Sequence, residues 1–184
     1  MYPFFSGGMP MKEVSIQELQ INPYTMFGKD WLTLTAGNDS SGFNTMTVSW
    51  GHIGSIWDGG NGNHNMPTVV CYVRPSRYTK NFMDSEEYFT LSHFPEEYKK
   101  ALRYLGSHSG RDEDKVQKMG LTHVFADGTT YFAEADLVFI CRKLYTQELT
   151  EAGFADKEII SLNYPKKDFH TLYIGEIVKV LMAE

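Results

Sequence analysis

The chain has 184 residues, enough for one domain with a full hydrophobic core. Its 42% hydrophobic and 22% charged residues mark a folded globular chain and exclude a disordered one, and 14% aromatics favour strands and ring-stacking surfaces. The formal net charge of −6 excludes sequence-independent nucleic-acid binding, which draws on a basic field, but leaves room for a local basic pocket. Cys71 and Cys141 form no CxxC pair and each lies in an apolar run, so both read as buried thiols packing as small hydrophobes. No apolar stretch is long enough to span a bilayer, and Met1 to Met11 lacks a basic start followed by an apolar core. A cytoplasmic protein with reduced thiols and no membrane partner is expected.

The chain reads as a single domain over 1–184, with residues 1–11 as a loose N-terminal arm. Trp31 to Ala36 is predicted as a strand by its β-branched and apolar content. The run Gly37 to Gly42 is a turn cluster and Phe43 to Trp50 the next strand, so the two form a hairpin. Residues 51–66, rich in Gly and Asn, are expected as one long loop. Thr68 to Val73 is apolar on both alternations and is expected to be covered on both faces. Ser76 fits the N-cap of a short helix carrying Phe82 and Met83, and Tyr88 to Phe94 is another strand. Pro95 opens a helix whose Tyr98, Ala101, Leu102 and Leu105 share a face, with Gly106 closing it. Ser109 and Asp112 resemble a capping box for a segment ended by Gly120, and Ala126-Asp127-Gly128 marks a hairpin turn. Ala135 to Leu144 and His170 to Leu181 read as two long strands. Strands dominate, the helices are few, and there is no βαβ alternation. The predicted fold is mainly β, a closed or partly closed antiparallel barrel with inserted helices.

Two stretches carry candidate chemistry. Arg74-Pro75-Ser76-Arg77-Tyr78-Thr79 packs two guanidiniums and two small hydroxyls into six residues, a composition that suits a phosphate. Ser109, Arg111 and Lys115 form a second basic turn. The same residues also suit a capped surface helix with solvated arginines, and the turns alone do not decide between the two. On Asn44-Thr45-Met46-Thr47-Val48-Ser49-Trp50, the hydroxyls of Thr45, Thr47 and Ser49 share one side, as on a strand lining the edge of a flat ring. A polar face turned to solvent gives the same pattern. Trp50 and Trp57 are candidates to flank the ring. No GxGxxG follows a strand, no HxxH or HExxH places a zinc, and no GxSxG points to a hydrolase. His170 opens the last strand, and a backbone-bonded structural histidine is the plain alternative to a functional one.

In this order, the residues resemble the flavin reductase-like family, FMN-binding split-barrel proteins that include the flavoredoxins. The resemblance runs from Thr25 to Val180. Its landmarks are Asn44 to Thr47 into Trp50, Arg74 to Thr79, Phe89-Thr90-Leu91-Ser92, Ser109-Gly110-Arg111-Asp112 with Lys115, Glu134-Ala135, and His170 before Tyr173 to Ile177. It implies a homodimeric split β-barrel holding FMN, with FAD the lesser alternative. It places the strand Asn44 to Trp50 beside the isoalloxazine and gives the phosphate to the turn Arg74 to Thr79. Ser109, Arg111 and Lys115 then lie near the flavin, and His170 lies on the nicotinamide side. The implied activity moves electrons from NAD(P)H through flavin to an acceptor. A flavoredoxin-like carrier reduced by a protein partner is the alternative. The Gly/Asn run at 58–65 looks expanded and could cover the flavin or reshape access to it.

Overall fold

Leu32, Leu34 and Ala36 alternate with two threonines, and that period of two sets the strand around which the barrel forms. The computed structural model describes residues 10–60 and 64–184. The strands are β1 (Met11–Val14), β2 (Leu32–Asn38), β3 (Gly42–Val48), β4 (Gly51–Ser55) and β5 (Pro67–Val73). They continue as β6 (Tyr88–His93), β7 (His123–Ala126), β8 (Thr129–Phe132), β9 (Leu137–Glu148) and β10 (Thr171–Ala183). The helices are α1 (Pro23–Thr25), α2 (Thr79–Ser85), α3 (Lys99–Ser107), α4 (Lys115–Lys118) and α5 (Glu158–Asn163). A π-helical turn, Met26–Asp30, follows α1. None of the helices described is long and apolar enough to cross a membrane.

The main sheet is antiparallel and runs β3-β2-β6-β9-β10-β5-β4, with β1 also paired to β10. β10 serves both β5 and β1 because it is long: residues 171–176 pair with β5 and residues 180–183 with β1. Only Ser49 and Trp50 separate β3 from β4, yet these strands are the two ends of the path. Laid flat, seven strands would put those ends about 29 Å apart. Three peptide steps reach at most about 11 Å. The sheet must therefore roll up until its ends nearly meet. β3 and β4 share no ladder, and the barrel is split there. Gly175 lies at a break in the β9–β10 register, where an added Cβ would stand 2.6 Å from the Phe89 ring. A glycine there lets neighbouring strands curve close over the core.

Alternation builds two cores from one sheet. Leu137, Phe139 and Cys141 of β9 face the barrel interior with Leu34, Val69, Phe89 and Tyr173. Val138 and Ile140 face outward, onto Leu102 and Leu105 of α3, Val116 of α4 and Phe132 of β8. Each such buried side chain contributes about 1.5–3 kcal/mol, so a strand covered on both faces is held firmly. Cys71 and Cys141 are free and fully buried, and burial pushes the Cys71 thiol up to about 12. The β7–β8 hairpin turns through Asp127 (φ 52°) and Gly128 (φ 74°), as a two-residue turn with positive φ at both positions requires.

Several sequence expectations shift. Residues 51–55 form β4 rather than the start of a long loop, and β3 stops at Val48, leaving Trp50 between strands. Ser76 is not a cap: it sits in a turn closed by Arg77 N donating to Arg74 O at 3.1 Å, and α2 starts three residues later without a side-chain cap. Asp114, not Ser109, caps α4, accepting from Gln117 N at 2.9 Å. Gly106 lies inside α3, and β9 begins at Leu137 rather than Ala135. Most of the expected N-terminal arm, residues 1–9, lies outside the described residues, but Met11 is not loose, since it pairs with Ala183. Residues 61–63 of the Gly/Asn run also lie outside them.

Candidate functional site

At the split, β3 runs beside the turn Ser76–Thr79 and the end of α3. Three cavities follow one another there and share residues. The smallest, about 90 Å³, is lined by Asn44, Met46, Ser76 to Thr79, Ser109 and Lys115, with Ser107 and His108. Met46 and Arg77 carry over into a middle cavity of about 220 Å³, which Thr47, Val48, Ser49, Trp50, Arg74 and His170 also line. Ser49, Trp50 and Tyr72 lead on to a third cavity of about 580 Å³. The two stretches singled out in the sequence thus meet.

The lining of the smallest cavity is basic and rich in hydroxyls. Four small hydroxyls, Arg77 and Lys115 border it, and among the described residues lining it there is no carboxylate. Lys115 is buried, with its ammonium donating to Leu105 O at 2.8 Å and His108 O at 3.0 Å. Burial, with Arg77 adding repulsion, brings it down from 10.5 to about 8. Asn44 Nδ2 donates to Thr79 Oγ1 at 2.7 Å and joins β3 to the start of α2. Gly110 makes the close approach possible, since a Cβ there would meet Asn44 Oδ1 at 2.1 Å.

The two arginines of the turn have different employment. Arg74 donates to the Asp168 carboxylate at 2.8 Å and to Asn163 O at 2.9 Å, and lies over the Tyr164 ring at 5.1 Å. It is a clamp on the segment between α5 and β10. The Arg77 guanidinium makes one hydrogen bond among the described residues, to Gly106 O at 2.9 Å, and borders two cavities. Its guanidinium keeps donors to spare for a ligand.

His170 sits just before β10 and is 7% exposed. Its Nδ1 lies 2.9 Å from the Tyr164 hydroxyl, and its ring lies 5.0 Å from that of Trp50. Burial and the nearby Arg74 bring it down to about 4, so it is neutral at pH 7. Its side chain bonds Tyr164 rather than backbone.

Three of the sequence-derived candidates, Thr45, Arg111 and Trp57, line none of the three cavities. Thr45 is fully buried, accepts from Thr35 Oγ1 at 2.8 Å and donates to Leu34 O at 3.3 Å, so its hydroxyl is consumed between strands. Arg111 lies over the Tyr78 ring at 4.7 Å and donates to Ser76 O at 3.3 Å, tying the two basic turns together. Trp57 stands against Tyr145, away from the three cavities, so Trp50 alone flanks the groove. Sequence reasoning missed Tyr72, Tyr164 and His108. Tyr72 lay in a strand read as covered on both faces, and Tyr164 lay in a stretch without a periodic pattern. Thr47, which the sequence placed toward the ring, borders the middle cavity but donates its hydroxyl to Leu102 O of α3.

The flavin reductase like domain model matches residues 30–184. No curated protein matches the chain. Among solved structures, it is similar to an FMN-binding domain of a flavin reductases-like enzyme from Shewanella baltica OS155. That pair has a TM-score of 0.63 and 14% identity, covering 96% of this chain and 78% of the other. The flavoredoxin of Desulfovibrio vulgaris (Miyazaki F) has a TM-score of 0.62 and 19% identity, covering 94% and 78%. Nitrilotriacetate monooxygenase component B from Bacillus cereus has a TM-score of 0.61 and 18% identity, covering 92% and 84%. At such identities these likenesses speak to the fold.

Proposed function

The chain belongs to the flavin reductase like domain family, and from that premise we propose that it is an FMN-dependent oxidoreductase passing electrons from NAD(P)H to an acceptor. One observation carries the reading: a small basic, hydroxyl-lined cavity without a carboxylate opens into a groove walled by Trp50 and His170. A flavin mononucleotide has a phosphate for the first and a flat ring for the second. Ser76, Arg77, Thr79, Ser109 and Lys115 hold the phosphate by charge-assisted and hydroxyl hydrogen bonds. Met46 to Trp50 line the ring, and Arg111 keeps the phosphate turn in place through Ser76 O and Tyr78. The bound flavin supplies two-electron redox chemistry. His170, neutral and bonded to Tyr164, positions Trp50 and faces the nicotinamide side without taking charge. No side chain acts as acid or base.

The exposed side chains of Ile56, Trp57 and Tyr145, outside the three cavities, suit burial against a second copy, and the assembly in this reading is a homodimer. Light scattering then gives a mass twice that of the 21.0-kDa chain. The function is tested by the visible spectrum of the purified protein, followed by anaerobic mixing with NADH or NADPH. A yellow protein whose flavin bleaches rapidly supports the reductase. The net charge of −6 favours a second reading, an electron carrier docking on a basic redox partner. A yellow protein that neither nucleotide bleaches would point to it. A colourless protein that takes up no added FMN overturns both.

A further inference from the structure

The largest of the three cavities lies beyond the basic end and the ring groove, and its chemistry is of another kind. Five aromatic side chains border its 580 Å³: Tyr24, Phe27, Trp50, Tyr72 and Tyr164. Among the described residues that line it there is no Asp, Glu, Lys or Arg, and His52 is the one side chain able to take a positive charge. The middle cavity next door has Arg74 and Arg77. Charge is therefore concentrated at one end of the groove and absent from the other. Taking a phosphate or carboxylate out of water into an aromatic cavity without a cation to meet it is costly, whereas an apolar ring gains about 25 cal/mol per Å² buried.

The wall is also fixed in shape. The Phe27 ring is buried against the Gly51 backbone so closely that a Cβ at Gly51 would lie 2.2 Å from it. Tyr164 is held by His170 at 2.9 Å and by Arg74 across its face. Tyr24 differs: it is 85% exposed, at the rim. The cavity shares Ser49, Trp50 and Tyr72 with the ring groove, so an occupant lies next to whatever the groove holds.

We propose that this cavity is the site of the electron acceptor, and that the acceptor is an uncharged, flat, conjugated carbonyl compound of the quinone class. The proposal rests on the flavin reading above. It follows from the absence of formal charge in the wall, the aromatic faces, and the continuity with the groove. The redox step balances: the quinone takes up two electrons and two protons to become the hydroquinone. NAD(P)H, oxidised to NAD(P)+, supplies both electrons and one proton as hydride by way of the cofactor. Water supplies the second proton. A dinucleotide fits the same cavity only by its nicotinamide ring, with both phosphates left outside. Donor and acceptor thus exclude one another and alternate at one place.

The test is a binding measurement. Equilibrium dialysis of the FMN-loaded protein is run with 1,4-naphthoquinone and with its 2-sulfonate, identical rings that differ by one charge. The neutral quinone should bind at least tenfold more tightly. Tyr24→Lys, at an exposed rim position that leaves the core intact, should narrow that ratio at least fivefold with the FMN Kd unmoved. Equal affinity for the two quinones, or a ratio indifferent to Tyr24→Lys, overturns the proposal. NADH failing to displace bound naphthoquinone also counts against the shared site. FMN uptake is scored separately. If the protein takes up no FMN, the flavin reading fails, and the dialysis on the protein as purified still decides whether the cavity selects neutral rings.

Discussion

Lys115 shows how burial gives a single side chain a defined task. Its ammonium spends two hydrogen bonds on Leu105 O and His108 O, and its low titration point, about 8, reflects the cost of holding charge out of water. A phosphate is dianionic above about pH 6 and binds the charged lysine best. The sign follows: FMN affinity is level from about pH 6.5 to 8 and falls above it, approaching tenfold per pH unit by one-proton linkage. Fluorescence titration of FMN from pH 6.5 to 9.5 checks this. Lys115→Met should bind about ten- to hundredfold more weakly at pH 7, the worth of one charge-assisted hydrogen bond, and should lose the dependence near pH 8. Parallel curves for the two proteins would remove Lys115 from the phosphate site. The arginines divide in the same way. Arg77→Gln should raise the FMN Kd tenfold or more and leave the denaturation midpoint almost unchanged. Arg74→Gln should lower the denaturation midpoint, because it unclasps Asp168 and Asn163, with the smaller effect on FMN. Sequence made the two look alike. The partners of Arg74 lie 94 and 89 residues further on and that of Arg77 lies 29 further on, so no local pattern could have told them apart.

At the scale of elements, the strands whose side chains alternate were legible and those that depend on a neighbour were not. β2, β3, β5, β6 and the long pair β9 and β10 carry their own apolar signal. β4 does not: Gly51-His52-Ile53-Gly54-Ser55 is strand because β5 offers it a ladder from Cys71 to Pro67. The same dependence hid the caps. Ser76 and Ser109 have the chemistry of N-caps, but both border the smallest of the three cavities, and the helices start later. The two glycines of β4 separate the reasons for glycine there. A Cβ at Gly51 collides with Phe27 at 2.2 Å, whereas a Cβ at Gly54 meets nothing within 4 Å. Gly51→Ala should therefore cost about 1–3 kcal/mol through overpacking, read as a lower urea midpoint. Gly54→Ala should be neutral, or stabilise by about 0.4–1 kcal/mol through the unfolded chain. Equal midpoints for the two variants would mean that the Phe27 wall gives way.

At the scale of the molecule, rolling the sheet is what makes a site from ordinary parts. The connection Ser49-Trp50 brings the two ends of the sheet together, and Trp50, His170, Tyr72 and Tyr164 gather at the gap. A barrel was legible from strand count and the lack of βαβ order. The meeting of β3 with β4 was not, because it follows from closure rather than from any segment. Assembly also places two histidines in opposite electrostatic settings. His170, buried near Arg74, is brought down to about 4, and the unfolded chain takes up its proton near 6.5. As pH falls from 6.5 toward 4 the unfolded state binds the extra proton, so His170 makes the fold progressively less stable. His93 is the reverse: its hydrogen bond to Asp136, at 2.6 Å, raises it above 6.5. Its contribution is complete below 6.5 and is lost as pH rises through its higher value in the fold. Urea midpoints at pH 5, 6, 7 and 8.5 separate the two. His170→Gln should flatten the decline between pH 6.5 and 5, whereas His93→Gln should cost most stability at pH 5 and least at pH 8.5. If His170→Gln keeps the full slope of the parent protein, carboxylates alone drive the acid limb, and the histidine at the gap is not held neutral by its surroundings.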